Sequence, residues 1–418
     1  MKVIKNGQVL TENGLEQVDV QFDEDQILAI GKDLFGDEVI DAQGKVVLPG
    51  LVDVHVHLRE PGREKKETIQ TGTKAAAHGG FTSIFAMPNV LPYPSDAQTM
   101  EKYLGLIEKN SCVRTYPYAT ITRNEAGKEV VDMHELEPFT HWFSDDGVGI
   151  DDDAVMAEAM RTAKKEHVLI AMHTEDMHYR KPGASVHDSQ INRDRGYIGI
   201  PSACEAEPLK RDLKLAVEIG NMYHACHISC KESVEALRQA KQAGGNISAE
   251  VTAHHLLLED KDVQGPMWKM NPPLRSHEDR MALIEALEDG TLDFIANDHA
   301  PHTLEEKQQS MEKAPFGIVS LETSFPLLYT EFVVKEKRWT LEQLVQYMAT
   351  KPAKRFGIEA GQIKAGYLPD FVLVDLNQTY TIDASKFESM GKNTPFDGWE
   401  VQGKVCETIV GGQTVWKG

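Results

Sequence analysis

Six residues of this chain could hold metal ions, and each stands at or just after the end of a short apolar run. Asp53-Val54-His55-Val56-His57 closes the first run. On an extended strand alternate side chains share a face, so His55 and His57 project together while Val54 and Val56 turn away into another apolar layer. Asp145-Asp146 follow the run His141–Ser144, His173 ends Val168–His173, His227 ends Met222–His227, and Asp298 follows Leu292–Asn297. A single His at such a place is usually a hydrogen-bonded rim residue, and a single Asp a helix cap. Four imidazoles and two carboxylates on one rim are different, because burying them without a cation is electrostatically unfavourable. The set exceeds what one tetrahedral zinc requires. It suggests two ions, on the order of 3.5 to 4 Å apart, bridged by one carboxylate and a hydroxide. Zinc is favoured by ligand type, with Co2+ or Mn2+ as substitutes. A hydroxide at neutral pH attacks a polarised carbonyl, so the reaction class is hydrolysis, or its reverse, at an amide, imide or ester.

These residues need elements to carry them. From residue 50 to about 300, apolar runs alternate with segments of helical period, the mark of repeated βα units around a parallel sheet. Eight runs read as strands: Leu51–His57, Thr82–Met87, Val113–Thr120, His141–Ser144, Val168–His173, Met222–His227, Ile247–Ala253 and Leu292–Asn297. Between them the spacing predicts helices such as Glu67–His78, Ala97–Lys109, Ala154–Glu166, Glu207–Gly220, Lys231–Ala243 and Glu278–Leu287. Eight such repeats predict an α/β fold, a (β/α)8 TIM-type barrel over residues 50–359 with its site at the C-terminal mouth. Residues 1–49 and 360–418 show short β-like pieces and turn signals, including a Gly411-Gly412 hairpin. Neither end could build a sizeable core alone, so the two are expected to join in one small β-sandwich satellite domain. The polar stretch His302–Gly317 is long for a connection and is a candidate lid.

Bulk properties exclude other classes. A formal charge of -21 and a pI near 5.2 disfavour nucleic acid and anionic membranes as partners. Five cysteines in a chain of 418 residues fit a reducing compartment better than a disulfide framework. With neither a signal-peptide pattern nor a membrane-length apolar run, the chain is expected to be cytoplasmic. Cys226-His227-Ile228-Ser229-Cys230 lacks the second cysteine pair that a structural zinc site needs. Strand alternation there would put His227 on the face of Tyr223 and Ala225, opposite His224 and Cys226.

Several segments carry a resemblance. Gly50-Leu51-Val52-Asp53-Val54-His55-Val56-His57-Leu58-Arg59-Glu60-Pro61-Gly62, Ala86-Met87-Pro88-Asn89, Lys269-Met270-Asn271-Pro272-Pro273-Leu274-Arg275, Asn297-Asp298-His299-Ala300-Pro301-His302 and Ala314-Pro315-Phe316-Gly317 closely resemble the bacterial dihydroorotases (class I type) of the amidohydrolase superfamily. The match runs over nearly the whole chain. The resemblance implies one metal on His55, His57 and Asp298 and a second on His173 and His227. Many relatives bridge the pair with a strand-four lysine, which is missing from His141-Trp142-Phe143-Ser144-Asp145-Asp146-Gly147. The branch this chain resembles uses the second Asp, here Asp146. Asp145 rivals it on sequence, although neighbouring strand residues face opposite ways.

The activity so implied is reversible closure of N-carbamoyl-L-aspartate to L-dihydroorotate in pyrimidine (UMP) biosynthesis, with Asp298 as ligand and acid/base. Both compounds carry a carboxylate, which the fork of Arg59 suits. By resemblance, Asn89 and His302 complete that carboxylate site, while Asn271 and the backbone of Phe316 and Gly317 hold the ring amides. A homodimer is expected, with association with aspartate carbamoyltransferase a further expectation. The alternatives are an allantoinase or hydantoinase, or a silent scaffold for the carbamoyltransferase that has lost its chemistry. Glu175-Asp176 are expected to cap the next helix and His254-His255 to serve the core or a loop; Ser202 lacks the setting of a nucleophile.

Overall fold

A computed structural model of the chain describes residues 1–418. At its centre lie eight parallel strands: β1 Leu51–Val56, β2 Phe81–Ala86, β3 Arg114–Pro117, β4 Trp142–Ser144, β5 Leu169–Met172, β6 Met222–Ala225, β7 Ile247–Thr252 and β8 Phe294–Ala296. They pair in chain order as one sheet of β1 to β3 and another of β4 to β8. A parallel bridge from Ala119 to Phe143 links the chain beyond β3 to β4, and one from Val56 to His299 links β1 to the chain beyond β8. Most strands end before their apolar runs do, at Val56, Ala86, Pro117, Met172, Ala225, Thr252 and Ala296, so the last residues of those runs leave the ladder at the rim.

The six predicted helices all form, as Ile69–His78, Ala97–Asn110, Asp153–Glu166, Ala203–Ile219, Lys231–Gln242 and His277–Asp289. Four of the six start at a side chain that accepts orphan backbone N–H groups: Thr68 from Thr71, Asp96 from Thr99, Asp152 from Ala154 and Val155, and Ser276 from Asp279. Each such cap contributes about 1 kcal/mol. Ala75, Ala76 and Ala77 form a small buried face on the first helix. There Thr408 from the far end of the chain donates to the Ala77 carbonyl at 2.6 Å.

Strands from both chain ends share a six-stranded sheet ordered Gln413–Lys417, Glu400–Val410, Phe371–Thr381, Val46–Pro49, Gln8–Thr11 and Gly14–Glu16. A four-stranded sheet formed from residues 2–41 lies against it. Alternation decides which side each residue serves. Phe371, Leu373 and Ile409 pack with Val20, Phe22 and Ile27 of the smaller sheet, whereas Val372, Val374 and Val405 join the main core around the parallel strands.

Alternation fails in β1. The ladder to β2 shifts register between Asp53 and Val56. Asp53 Oδ1 fills the gap by accepting from the backbone N–H of His55 and of Asn297, both at 3.1 Å. As a result Val54 and Val56 do not share a layer. Val54 packs inside with Phe85, Tyr118 and Phe294, and Val56 joins the main core. No helix is long and apolar enough to cross a membrane.

Candidate metal centre and substrate cavity

Six donors from five strand ends meet in one place. His57 Nε2 lies 3.1 Å from Asp298 Oδ1 and 3.3 Å from Asp146 Oδ2. His55 Nε2 lies 3.3 Å from Asp146 Oδ1, which is also 3.6 Å from His227 Nε2. Asp146 therefore presents one oxygen to His55 and His227 and the other to His57. Two compact three-donor sets result, His55/His57/Asp298 and His55/Asp146/His227. His173 stands in neither set; its Nδ1 faces His227 Nε2 at 3.0 Å.

Backbone conformation accounts for part of this convergence. His227 has φ 32°, Asp298 φ 46° and Arg59 φ 63°, a left-handed region that costs a non-glycine residue of order 1 kcal/mol or more. Alternation along β6 sends Tyr223 and Ala225 outward and Cys226 inward. His227 should then point outward with them. Its left-handed backbone instead turns the ring into the site.

Asp145 and Asp146 separate cleanly. Asp145 accepts from the N–H of Ile121 at 2.8 Å and of Thr122 at 3.1 Å, and from the Thr122 hydroxyl. It braces the chain after β3 and reaches none of the six donors. Burial pushes its pKa up to about 6 in spite of those hydrogen bonds.

The carboxylates of the cluster draw positive charge to it, a place that a proton or a metal ion can fill. Burial opposes charge on His55, yet Asp146 and Glu250 raise its pKa well above the ordinary value. Burial likewise works against ionising Asp298, but the His57 hydrogen bond and the His55 ring hold it at about 2. His55 Nε2 and Asp146 Oδ1 are nevertheless both buried without a hydrogen-bond partner. Orphaned acceptors and lone pairs aimed at one another are what a bound metal would satisfy. A third set, His55/Cys226/Glu250, lies on the other side of the ring, where Glu250 meets His55 Nδ1 at hydrogen-bond distance, 2.7 Å, away from Asp146 and Asp298 at Nε2.

Beside the cluster lies a cavity of about 230 Å³ lined by Arg59, Asn89, Asn271, His302, Phe316 and Gly317 among others. Arg59 is buried and its only protein partner is the Pro301 carbonyl, 3.3 Å from Nε, so its terminal nitrogens stay free. It makes no ion pair with Glu60 or Glu64. Asn89 Oδ1 pairs with His57 Nδ1 at 3.0 Å, leaving Nδ2 as a donor. Asn271 Nδ2 donates to Glu175 at 2.9 Å, leaving Oδ1 as an acceptor. Both ring nitrogens of His302 are engaged, Nε2 with the Phe316 carbonyl at 2.7 Å and Nδ1 with Lys66 at 3.2 Å.

Some residues take roles that the sequence did not disclose. Glu175 caps no helix. It accepts from Arg180 at 2.5 Å and from Asn271, faces His173 at 3.3 Å, and lines the cavity together with Arg180, whose guanidinium lies 4.4 Å from the centre of the Phe316 ring. The cap belongs to Asp176 alone, over the short turn Met177–Tyr179. Glu250 meets His55 Nδ1 at 2.7 Å; a lone charge in the run Ile247–Thr252 was its available signal. His255 bonds Thr252 and the Pro272 carbonyl, while His254 is buried with neither ring nitrogen bonded. The stretch 302–317 is tied down, with Lys307 Nζ donating to the carbonyls of Lys269, Pro315 and Gly317 at 3.1, 3.1 and 2.9 Å.

Proteins of known kind share this sequence. The chain is 51% identical to the dihydroorotase of Halalkalibacterium halodurans over 421 residues, covering 99% of this chain and 98% of that protein. It is 50% identical to that of Bacillus subtilis (strain 168) over the same share of each. The chain belongs to the dihydroorotase family. The Dihydro-orotase-like family model matches residues 44–233. Among solved structures the chain is similar to an L-hydantoinase (dihydropyrimidinase) from Arthrobacter aurescens, with TM-score 0.89, 27% identity and coverage of 100% of this chain and 96% of that one. It is also similar to a dihydropyrimidinase from Brevibacillus agri NCHU1002, at TM-score 0.87 and 26% identity. As a member of the dihydroorotase family the chain is a metal-dependent cyclic amidohydrolase, and the buried His/Asp cluster fits a metal site.

Proposed function

We propose that the chain interconverts N-carbamoyl-L-aspartate and L-dihydroorotate in pyrimidine (UMP) biosynthesis, at a two-metal site at the mouth of a closed (β/α)8 barrel. The bridges at Ala119–Phe143 and Val56–His299 support closure, and the shared six-stranded sheet supports one satellite built from residues 1–49 and 360–418 beside a barrel of 50–359. The observation that carries the functional reading is a buried, unpaired Arg59 facing the same cavity as the His/Asp cluster. A substrate with a carboxylate beside its reacting amide answers both. Hydantoin and allantoin carry no carboxylate for Arg59 to bind.

Two Zn2+ ions, or Co2+ or Mn2+ in their place, fit the donors present. His55, His57 and Asp298 would hold one, His173 and His227 the other, with Asp146 reaching toward both sides. Bound metal supplies polarisation of the carbonyl and acidification of the attacking water. The side chains do the rest. Arg59 binds the substrate carboxylate bidentately and Asn89 Nδ2 adds a donor; His302 joins them by releasing the Phe316 carbonyl or Lys66. Asn271 Oδ1 accepts a ring N–H, and the backbone of Phe316 and Gly317 holds the other ring amide. In hydrolysis Asp298 takes a proton from the attacking water and gives it to the leaving ring nitrogen. In ring closure it takes the ureido nitrogen's proton as that nitrogen attacks the side-chain carboxylate carbon, and returns it to the departing oxygen, which leaves as water with one further proton from solvent.

The test is to measure zinc per chain and to assay carbamoyl-aspartate, dihydroorotate, allantoin and hydantoin. Turnover of allantoin or hydantoin without dihydroorotate overturns the reading. Stoichiometric metal with no turnover of any of them would favour the scaffold. Light scattering of the chain, alone and with an aspartate carbamoyltransferase, tests the proposed homodimer and that association.

A further inference from the structure

A line of buried polar side chains leaves the metal site and runs through the interior toward the opposite end of the strands. Arg355 Nε lies 2.7 Å from Ser248 Oγ, near the start of β7. Ser248 Oγ lies 2.8 Å from His224 Nδ1, and His224 Nε2 lies 2.9 Å from Glu250 Oε2. The other carboxylate oxygen of Glu250 meets His55 Nδ1 at 2.7 Å and the backbone N–H of His227 at 3.2 Å. Ser248, His224, Glu250 and His55 are all buried. The arginine is held at the far end by the carbonyls of Tyr223 and Asn246 at 3.0 and 3.1 Å.

Donor and acceptor chemistry gives this line a direction. A guanidinium only donates, so Ser248 Oγ accepts from Arg355. The serine hydroxyl proton then has one acceptor within reach, His224 Nδ1; were that nitrogen protonated, the hydroxyl would be buried with nothing to donate to. His224 therefore carries its proton on Nε2 and gives it to Glu250. An ionised carboxylate only accepts, so His55 must present Nδ1–H to it. That leaves the His55 Nε2 lone pair facing Asp146 and Asp298, where the structure shows that atom without a hydrogen-bond partner.

We propose that Arg355, Ser248, His224 and Glu250 form a one-way hydrogen-bond chain that fixes the metal-binding tautomer of His55, with Glu250 as the positioning residue that ties His55 to the backbone of His227. The inference rests on the two-metal reading above and deepens it, because His55 and His227 belong to different metals in that reading. A carboxylate behind a metal-binding imidazole is an orienting device whose loss weakens metal binding by about 10- to 100-fold. Here one carboxylate serves both halves of the site, and its own orientation is set from the other end of the strands.

The experiment compares wild type, Glu250→Gln, Ser248→Ala and Arg355→Met by chelator competition for zinc, with 15N-histidine NMR of each zinc-loaded protein. Expected in the wild type are a downfield proton on Nδ1 of His55 and another on Nε2 of His224. Glu250→Gln should raise the zinc dissociation constant by about 10- to 100-fold and shift both resonances upfield. Ser248→Ala and Arg355→Met should shift the His224 proton and weaken zinc binding less, which keeps the test informative if Glu250→Gln does not fold. Wild-type zinc binding and dihydroorotate turnover test the two-metal reading independently. If both are present while Ser248→Ala and Arg355→Met leave every histidine resonance and the zinc affinity unchanged, or if zinc-loaded His55 bears its proton on Nε2, the chain is overturned and the function stands.

Discussion

The strand-end cluster and the stretch 302–317 handle buried charge in opposite ways. At the strand ends, imidazoles and carboxylates converge with orphaned atoms between them, and the charge that would satisfy them must come from outside the chain. In the 302–317 stretch the cation is already covalently present, a lysine whose pKa burial and Lys269 lower to about 7. Lys307 is buried, has no carboxylate partner and donates to three backbone carbonyls, while Lys269 donates to the carbonyls of Met311 and Glu312. A cation taken up by the first region is free to exchange; that of the second is not, and it holds Phe316 and Gly317 against the cavity.

If that contrast is right, the largest effect comes from Asp298→Asn, which keeps the shape but removes a ligand and a proton carrier. Activity in both directions should fall by about three orders of magnitude or more, measured as kcat/KM.

Asp146→Asn and Asp145→Asn sharpen the contrast within two adjacent residues. The first should lower bound zinc and activity with little change in melting temperature. The second should keep its zinc and lose about 1 to 3 kcal/mol of stability in denaturant titrations, because an amide misfits the N–H groups of Ile121 and Thr122. The pH profile separates them further. Asp145 is raised by burial from 3.8 to about 6, so between those values the folded chain binds more protons here than the unfolded one. Its contribution to stability is full below 3.8 and lost as pH rises through about 6, a slope that Asp145→Asn should remove.

Lys307→Met removes the internal cation without touching the metal donors. KM for dihydroorotate should rise roughly tenfold, equivalent to one charge-assisted hydrogen bond, with zinc content unchanged. An equal loss of zinc would mean that the two regions are not separate devices. The smallest effect is expected from Glu175→Gln, which loosens Asn271 and Arg180; a rise of a few fold in KM with kcat retained would place it beside the substrate.

Much of this was legible in the residues. The βα rhythm and the six donors at run ends follow from local chemistry, since apolar period is a property of neighbouring residues. Glu250 and Glu175 were not legible in the same way. One reads as an oddity within a buried strand and the other as a helix cap, until strands and loops far away in sequence supply His55, His224, Asn271 and Arg180 as partners.

The sequence by itself determined which side chains could hold metal, that they sit at strand ends, and that Arg59 was available for a carboxylate. Tertiary structure decided their directions. The register shift that Asp53 fills in β1 and the left-handed backbone at His227 and Asp298 override simple alternation, and the bracing of Asp145 by Ile121 and Thr122 leaves Asp146 to face the site. Side-chain type is local information, but where a side chain points at a strand end depends on hydrogen bonds made across the fold.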